Sequence, residues 1–235
     1  MFISEYDLNL EFKDHLKKVF LWLVIGMFIT ALMASLCYIS LQKHGIIESI
    51  LSNPFIIIFI VIAELVCAFA IHKVIFKMNS KLCMILYLLY AALTGLTFSI
   101  LPMAYGLDNI FMAFICTTVL FGVCAFMGYV LKIDMSKWVP YLLAALVILI
   151  ILSICSIFIP VLRESLLISI LGVILFSIYT AVDIQLIKRD FNEYRLKDES
   201  IINNFAIYGA FRLYIDFVNL FLDLLRIISR VKSKS

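Results

Sequence analysis

Short polar segments divide the chain into long apolar blocks, and the length of these blocks predicts helices that cross a membrane. A helix needs about 20 mostly apolar residues to cross ~30 Å of hydrocarbon. Six blocks meet this standard directly, and a seventh is apolar but carries several charges. No alternation typical of barrel strands is visible, and helices satisfy their own backbone hydrogen bonds in lipid. The predicted helices lie at about 20–41, 55–76, 82–105, 110–131, 138–160, 166–187 and 201–228.

Composition supports the same class of protein. Hydrophobic residues make up 65% of the 235 positions and charged residues 15%, whereas a soluble domain is about 45–50% apolar. This balance excludes a cytosolic enzyme, a nucleic-acid-binding domain and a secreted disulfide scaffold. The net charge of +3 is too small to indicate a polyanionic partner. We therefore predict an all-α membrane protein that forms a single transmembrane domain over 1–235. We expect it to interact with the lipid bilayer and not with nucleic acid.

Cofactor chemistry is not visible in the sequence. The six cysteines all fall inside apolar stretches and form no C-x-x-C pair, and the three histidines are isolated. This pattern is typical of small packing residues rather than of a zinc or redox site. We expect no cofactor and no enzymatic activity.

The distribution of lysine and arginine predicts the orientation of the chain. The N-terminal segment and the loops after blocks two, four and six carry twelve of these residues, and the alternate loops carry two. Basic loops stay on the cytoplasmic side, so the N-terminus is predicted to be cytoplasmic. The basic tail breaks the pattern, because seven crossings would place Arg226, Arg230, Lys232 and Lys234 outside. Either the last segment crosses in spite of its charges, or it is re-entrant.

Three acidic residues fall inside apolar blocks. They are Glu64 in block two, Asp183 in block six and Asp216 in block seven. Ionisable groups in a span are costly, and they usually face a bundle interior or a water-filled cavity. We read Glu64 as part of an ion path or, alternatively, as a structural residue.

Block seven carries a polar stripe. At 100° per residue, six polar side chains fall within an arc of about 80°, and the remaining faces are apolar. This predicts a helix at the centre of the bundle, with the stripe facing protein or water. The alternative is an amphipathic helix that lies at the membrane surface. The stripe comprises Arg212, Asp216, Asn219, Asp223, Arg226 and Arg230.

A carboxylate pair is the candidate site. Asp183 shares a helix face with Gly172, a small residue suited to close helix contact. If that face meets the stripe, Asp183 and Asp216 approach each other, compete for one proton and titrate as a unit. When deprotonated, the pair offers oxygen ligands to Ca²⁺. The alternative is two separate structural acids, with Asp216 paired to Arg212 four residues away.

These residues resemble the Bax inhibitor-1 family, also called the transmembrane Bax inhibitor motif or LFG family. The strongest likeness is the run GAFRLYIDFVNLFLDLLR at 209–226, which is similar to the family's last helix. Further motifs follow in the same order along the chain. They are the opening block from Val19 to Leu32, the run from Tyr90 to Ser99, the loop with Gly128, Tyr129, Lys132, Asp134, Met135 and Ser136, and the set Gly172, Phe176, Tyr179, Asp183 and Gln185.

The resemblance implies a fold and an activity. It implies seven helices with the last one central, and an aspartate pair, matched here by Asp183 and Asp216, that senses pH and gates a calcium leak. Val182, Arg212 and Asp223 depart from the family pattern. Arg212 is expected to favour the ionised form of Asp216.

We therefore expect a pH-sensitive calcium leak channel, with Asp183 and Asp216 as the gating pair and ion ligands. Glu64, Arg212, Asn219 and Asp223 are expected along the ion path or around the pair. The alternative is a non-conducting regulator of stress or cell death that acts through partner membrane proteins. An intramembrane aspartyl protease is disfavoured because no Gly-x-Gly-Asp motif is present, and a proton-coupled transporter because no internal repeat is visible. A bacterial inner membrane is the expected location, or an endomembrane in a eukaryote.

Overall fold

All regular structure in the described part of the chain is helical. The structure is a computed structural model that describes residues 5–42, 53–75, 80–131, 133–159, 161, 165–197 and 199–232. Six helices there are long and apolar enough to cross a membrane. A further helix of 21 residues lies at the second predicted block. The seven long helices are α1 (Glu5–Gln42), α2 (Pro54–Val74), α3 (Ser80–Phe98), α4 (Leu107–Val130), α5 (Val139–Phe158), α6 (Leu167–Tyr194) and α7 (Glu199–Lys232).

Two helices are longer than the apolar blocks predicted from the sequence, because they continue into polar residues. α1 begins at Glu5, well before the first apolar block, and α6 continues past the sixth block to Tyr194. The third block is interrupted, because α3 ends at Phe98 and a five-residue helix, Leu101–Tyr105, follows. Pro102 lacks a backbone N–H and so cannot continue the hydrogen bonding of α3. The predicted ends of blocks two and five, at 76 and 160, lie outside the described residues.

Local capping explains where two helical segments begin. The Asn53 side chain accepts a hydrogen bond from the backbone N–H of Phe55 at 3.0 Å, and Pro54 occupies the first turn of α2. Proline is favoured there because that position needs no backbone donor. The Asp134 side chain accepts from the backbone N–H of Ser136 at 3.1 Å and starts a 3₁₀ turn, Met135–Trp138, before α5.

The chain divides into two compact units. Unit 1 comprises Met1–Ala104 and Ile187–Tyr214, and unit 2 comprises Tyr105–Leu186 and Ile215–Ser235. Both α6 and α7 therefore contribute one part to each unit. In unit 1, α1 and α2 pack against α3.

A buried hydroxyl network joins three helices of unit 1. The Thr30 hydroxyl of α1 donates to the Ala91 carbonyl of α3 at 2.9 Å, and it lies 2.6 Å from the Tyr214 hydroxyl of α7. Thr30 and Tyr214 are both buried. Because lipid offers no partners to polar groups, such bonds between helices fix which faces meet.

Unit 2 contains a close backbone contact between α4 and α6. A Cβ at Gly128 would lie 2.8 Å from the Cα of Ala181 and 2.9 Å from its carbonyl carbon. Only glycine permits this approach, as expected where membrane helices pack through small residues.

Protein covers α7 on two opposite sides. Asp216, on the polar stripe, is 4% exposed. Tyr214 and Leu225 lie about 160–180° away around the helix and are both fully buried. A helix lying at the membrane surface would leave its apolar side in lipid, so this burial argues against that alternative. The central position of α7 in a bundle stays a prediction.

We predict that Gly128→Ala destabilises the protein, because the added methyl group must displace the Ala181 backbone. Overpacking of this kind costs about 1–3 kcal/mol. The measurement is thermal unfolding in detergent followed by far-UV circular dichroism. Gly122→Ala on the same helix is the control, because no atom lies within 4 Å of the new Cβ. Equal melting temperatures for the two variants would contradict the close contact.

Candidate functional site

Asp183 and Asp216 are both buried acids in unit 2. Asp183 is 5% exposed to solvent, and Asp216 is 4% exposed. Asp183 lies on α6 and Asp216 on α7. A buried carboxyl group requires compensation from its surroundings, so the neighbours of these two helices decide what the acids can do.

Two contacts define how α6 and α7 pack in unit 2. A Cβ at Gly172 would overlap the Asp223 side chain, lying 2.7 Å from its Cγ and 3.1 Å from its Oδ1. Arg226 Nη1 donates to Ser169 Oγ at 3.3 Å. Ser169 precedes Gly172 by three residues on α6, whereas its partner Arg226 follows Asp223 by three residues on α7. The two helices are therefore antiparallel. We call this line of contact the α6–α7 seam.

The register of the α6–α7 seam gives the levels of the two aspartates. Asp216 precedes Asp223 by seven residues, so it lies level with Tyr179, seven residues after Gly172. Asp183 is one turn further along α6, about 6 Å at 1.5 Å per residue. Seven residues on α7 and eleven on α6 are close to whole turns, which leaves Asp216 within about 20° of Asp223 and Asp183 within about 20° of Gly172. Both acids therefore face the seam. Sharing of one proton between them stays a prediction.

The other polar residues of the stripe have separate partners. The Asn219 amide donates to the Ile215 carbonyl of its own helix at 2.8 Å. Asp223 is half-buried, and its carboxyl group packs against Gly172, one turn along α6 from the Ser169 hydroxyl to which Arg226 donates. Asp223, Arg226, Ser169 and Gly172 form one group, which we call the Asp223 cluster.

Arg212 contacts an acid that the sequence analysis did not single out. Its Nη1 lies 3.6 Å from Asp190 Oδ2 in unit 1, and its guanidinium lies over the Tyr208 ring at 5.7 Å. Helical side chains point toward the N-terminus of their helix, which directs Arg212 toward Asp190 near the end of α6. The predicted ion pair of Arg212 with Asp216 stays a prediction.

Glu64 belongs to unit 1. It is half-buried on α2, and the hydroxyls of Thr94 and Thr97 on α3 lie near its carboxyl group. Its Oε1 is buried and makes no hydrogen bond within the described residues. Such an oxygen can accept a proton or contact a cation, so both readings of Glu64 stay open.

Gln185 was noticed in the sequence only as part of a family motif, and it proves to organise the loop beside Asp183. Its Oε1 accepts from the Met135 backbone N–H at 2.9 Å. Its Nε2 donates to the carbonyls of Leu131 at 3.2 Å and Ile133 at 2.9 Å. One side chain thus ties the connection between α4 and α5 to α6, two residues from Asp183.

Within the residues that the structure describes, no three His, Cys, Asp or Glu side chains group closely enough to hold a metal ion. The predicted calcium ligands, Asp183 and Asp216, would supply two carboxylates by themselves.

Comparison with known proteins identifies the family. The profile described as "Inhibitor of apoptosis-promoting Bax1" matches residues 12–233. The chain belongs to this family. The match includes residues from all seven long helices and confirms the resemblance inferred from the motifs at 209–226.

Bacterial relatives cover nearly the full length. The "Inner membrane protein YbhL" of Escherichia coli strain K12 is 31% identical over 217 residues, which is 92% of this chain and 91% of that protein. An uncharacterized protein of Borreliella burgdorferi is 34% identical over 215 residues, with 92% and 91% covered. With its apolar helices, this Bax inhibitor-1 family member is a multi-pass integral membrane protein.

We predict that Gln185→Leu loosens the connection between α4 and α5. Leucine has a similar volume but makes none of the three hydrogen bonds, and a typical hydrogen bond contributes about 0.5–1.5 kcal/mol to stability. Hydrogen exchange at residues 133–138 should become faster, and the melting temperature in detergent should fall.

Gln42→Leu is the matched control for this measurement. The exposed Gln42 amide donates to the Tyr38 hydroxyl one turn away in α1, at 2.8 Å. Its loss should leave exchange in the α4–α5 connection unchanged. Unaltered exchange in the Gln185 variant would show that the loop does not depend on this side chain.

Proposed function

We propose that the protein is a pH-sensitive calcium leak channel gated by Asp183 and Asp216. The observation that carries the proposal is the burial of both acids on the α6–α7 seam, on facing sides and about one helical turn apart in level. The family membership supports the same assignment. The proposal extends to the bacterial inner membrane as the location and to a cytoplasmic N-terminus.

The proposed gate works through the charge of the pair. Two carboxyl groups in a poorly hydrated site cannot both ionise at low cost, so at low pH they share a proton and hold α6 and α7 together. At higher pH the second proton is lost and the two charges repel each other. Repulsion biases the helices toward an open arrangement, as in other switches that depend on a local change of charge. Calcium flux is therefore expected to rise with pH.

Permeation needs weak and temporary ligands for the ion. Ca²⁺ prefers six to eight oxygen ligands, and two carboxylates together with water supply such a shell only briefly. Conduction requires this kind of site, because an ion that binds too tightly does not leave. The proposed pair thus combines the gate with a transient binding point.

The test is calcium flux into liposomes that contain the purified protein and a calcium-sensitive dye. We expect wild-type flux to rise with pH, as the shared proton is lost. Asp183→Asn and Asp216→Asn each remove one of the two carboxyl groups that compete for the proton. The repulsion between two carboxylates is then absent, so flux through either variant should no longer depend on pH.

Asp108→Asn is the matched control. Asp108 is an exposed acid in the first turn of α4, and its replacement should preserve the wild-type pH profile. A normal pH dependence in the Asp216 variant would overturn the gating mechanism. Wild-type flux equal to that of protein-free liposomes would overturn the channel itself, and it would favour a regulator that acts through partner proteins.

A further inference from the structure

The start of α1 packs against the end of α6 in unit 1 through three rings. Phe12 and His15 of α1 lie against Phe191 of α6, and their ring centroids are 5.7 and 5.0 Å from that of Phe191. All three residues are buried, and we call them the Phe191 cluster. Phe12 and His15 precede the first apolar block and Phe191 follows the sixth, so the cluster lies where both helices continue into polar residues.

His15 is the polar member of the Phe191 cluster. Its Nδ1 is buried and makes no hydrogen bond within the described residues. A neutral imidazole carries one N–H donor, whereas the protonated ring carries two donors and a positive charge. Burying a charge without a partner is far more costly than burying a neutral polar group. The docked position of His15 therefore favours the neutral ring.

Neighbouring cations add to the cost of a proton on His15. Lys18 follows His15 by three residues, which places both side chains on the same side of α1. On α6, the Lys188 ammonium lies 5.7 Å from the centre of the Phe12 ring. Lysine is positively charged at neutral pH, so both groups repel a charged imidazole.

Carboxylates that could neutralise a charged imidazole have other partners or face away from it. Glu193 on α6 is exposed and lies about 200° around the helix from Phe191. Three further acids at this end of unit 1 form ion pairs. They are Glu11 with Arg195 at 3.6 Å, Asp14 with Lys17 at 2.8 Å, and Asp190 with Arg212 of α7 at 3.6 Å. A proton on docked His15 would have to compete with these cations for a carboxylate.

We propose that His15 is a proton-sensitive lock, which holds the start of α1 against α6 while its ring is neutral and releases that segment when the ring takes up a proton. Release moves His15 into water, where the charged ring is solvated. It also exposes Phe12 and Phe191, which the docked segment keeps from solvent. With the N-terminus in its predicted cytoplasmic position, the lock responds to acidification of the cytoplasm. It operates independently of the proposed channel activity.

Linkage between proton binding and release gives the direction and the size of the pH effect. A solvated imidazole has an ordinary pKa of about 6.5, whereas the docked ring stays neutral. Docking therefore has its full stability above about pH 6.5 and weakens as the pH falls below that value. One pH unit below it, about ten released segments carry a proton for each that does not, so the released fraction is about tenfold larger.

The experiment is amide hydrogen exchange of the full chain in detergent, measured at residues 8–18 by mass spectrometry. A free helix of this length is marginal in water, so release should let its amides exchange. Each rate is divided by that of the His15→Phe variant at the same pH, because this removes the direct effect of pH on exchange chemistry. We expect the ratio to rise about tenfold between about pH 7.5 and about pH 5.5.

His72→Gln is the matched control. His72 is an exposed histidine of α2 whose Nδ1 lies 2.9 Å from the Tyr208 hydroxyl, and its replacement should preserve the pH dependence at residues 8–18. His15→Gln is a second test variant, which places a neutral polar side chain in the cluster instead of a phenyl ring. Its exchange ratio to His15→Phe should not change with pH. Size-exclusion elution verifies that each variant is folded.

The outcomes decide whether His15 is the lock. A rise in the wild type and in His72→Gln, without a rise in His15→Gln, supports it. A constant ratio in the wild type overturns the proposal, and an equal rise in His15→Gln overturns it by assigning the effect to another group. A rise that extends to α4 would show unfolding of the whole protein rather than release of one segment, and it also overturns the lock. Calcium flux enters none of these outcomes, so the channel proposal is tested separately.

Discussion

The polar side chains of α7 have to be covered by protein, because hydrocarbon offers no partner for a hydrogen bond or a charge. This constraint determines which residues α6 can place against α7. In unit 2, α6 places a glycine where Asp223 approaches and a serine where Arg226 approaches. The small residues of α6 and the charged residues of α7 thus depend on each other, and a larger residue at either position of α6 would separate the helices.

Antiparallel packing converts this local match into an arrangement of the whole seam in unit 2. Once Gly172 faces Asp223, the helical repeat sets the level and direction of the other residues that the two helices contribute to unit 2. Asp183 and Asp216 come to the same seam for this reason, although they are far from the Gly172 contact along both helices. The burial of the acids is therefore a consequence of packing between small and charged residues rather than a separate feature.

The sequence predicts what depends on one helix and misses what depends on two. The apolar blocks and the polar stripe from Arg212 to Arg230 are visible because length and periodicity are properties of a single segment. The ion pair between Arg212 and Asp190 is not visible in the sequence, because Asp190 lies on another helix and the spacing of the two residues does not indicate a contact. The role of Gln185 was missed for the same reason. A signal for the Asp223 cluster was present, because Ser169 and Gly172 have the same spacing of three as Asp223 and Arg226.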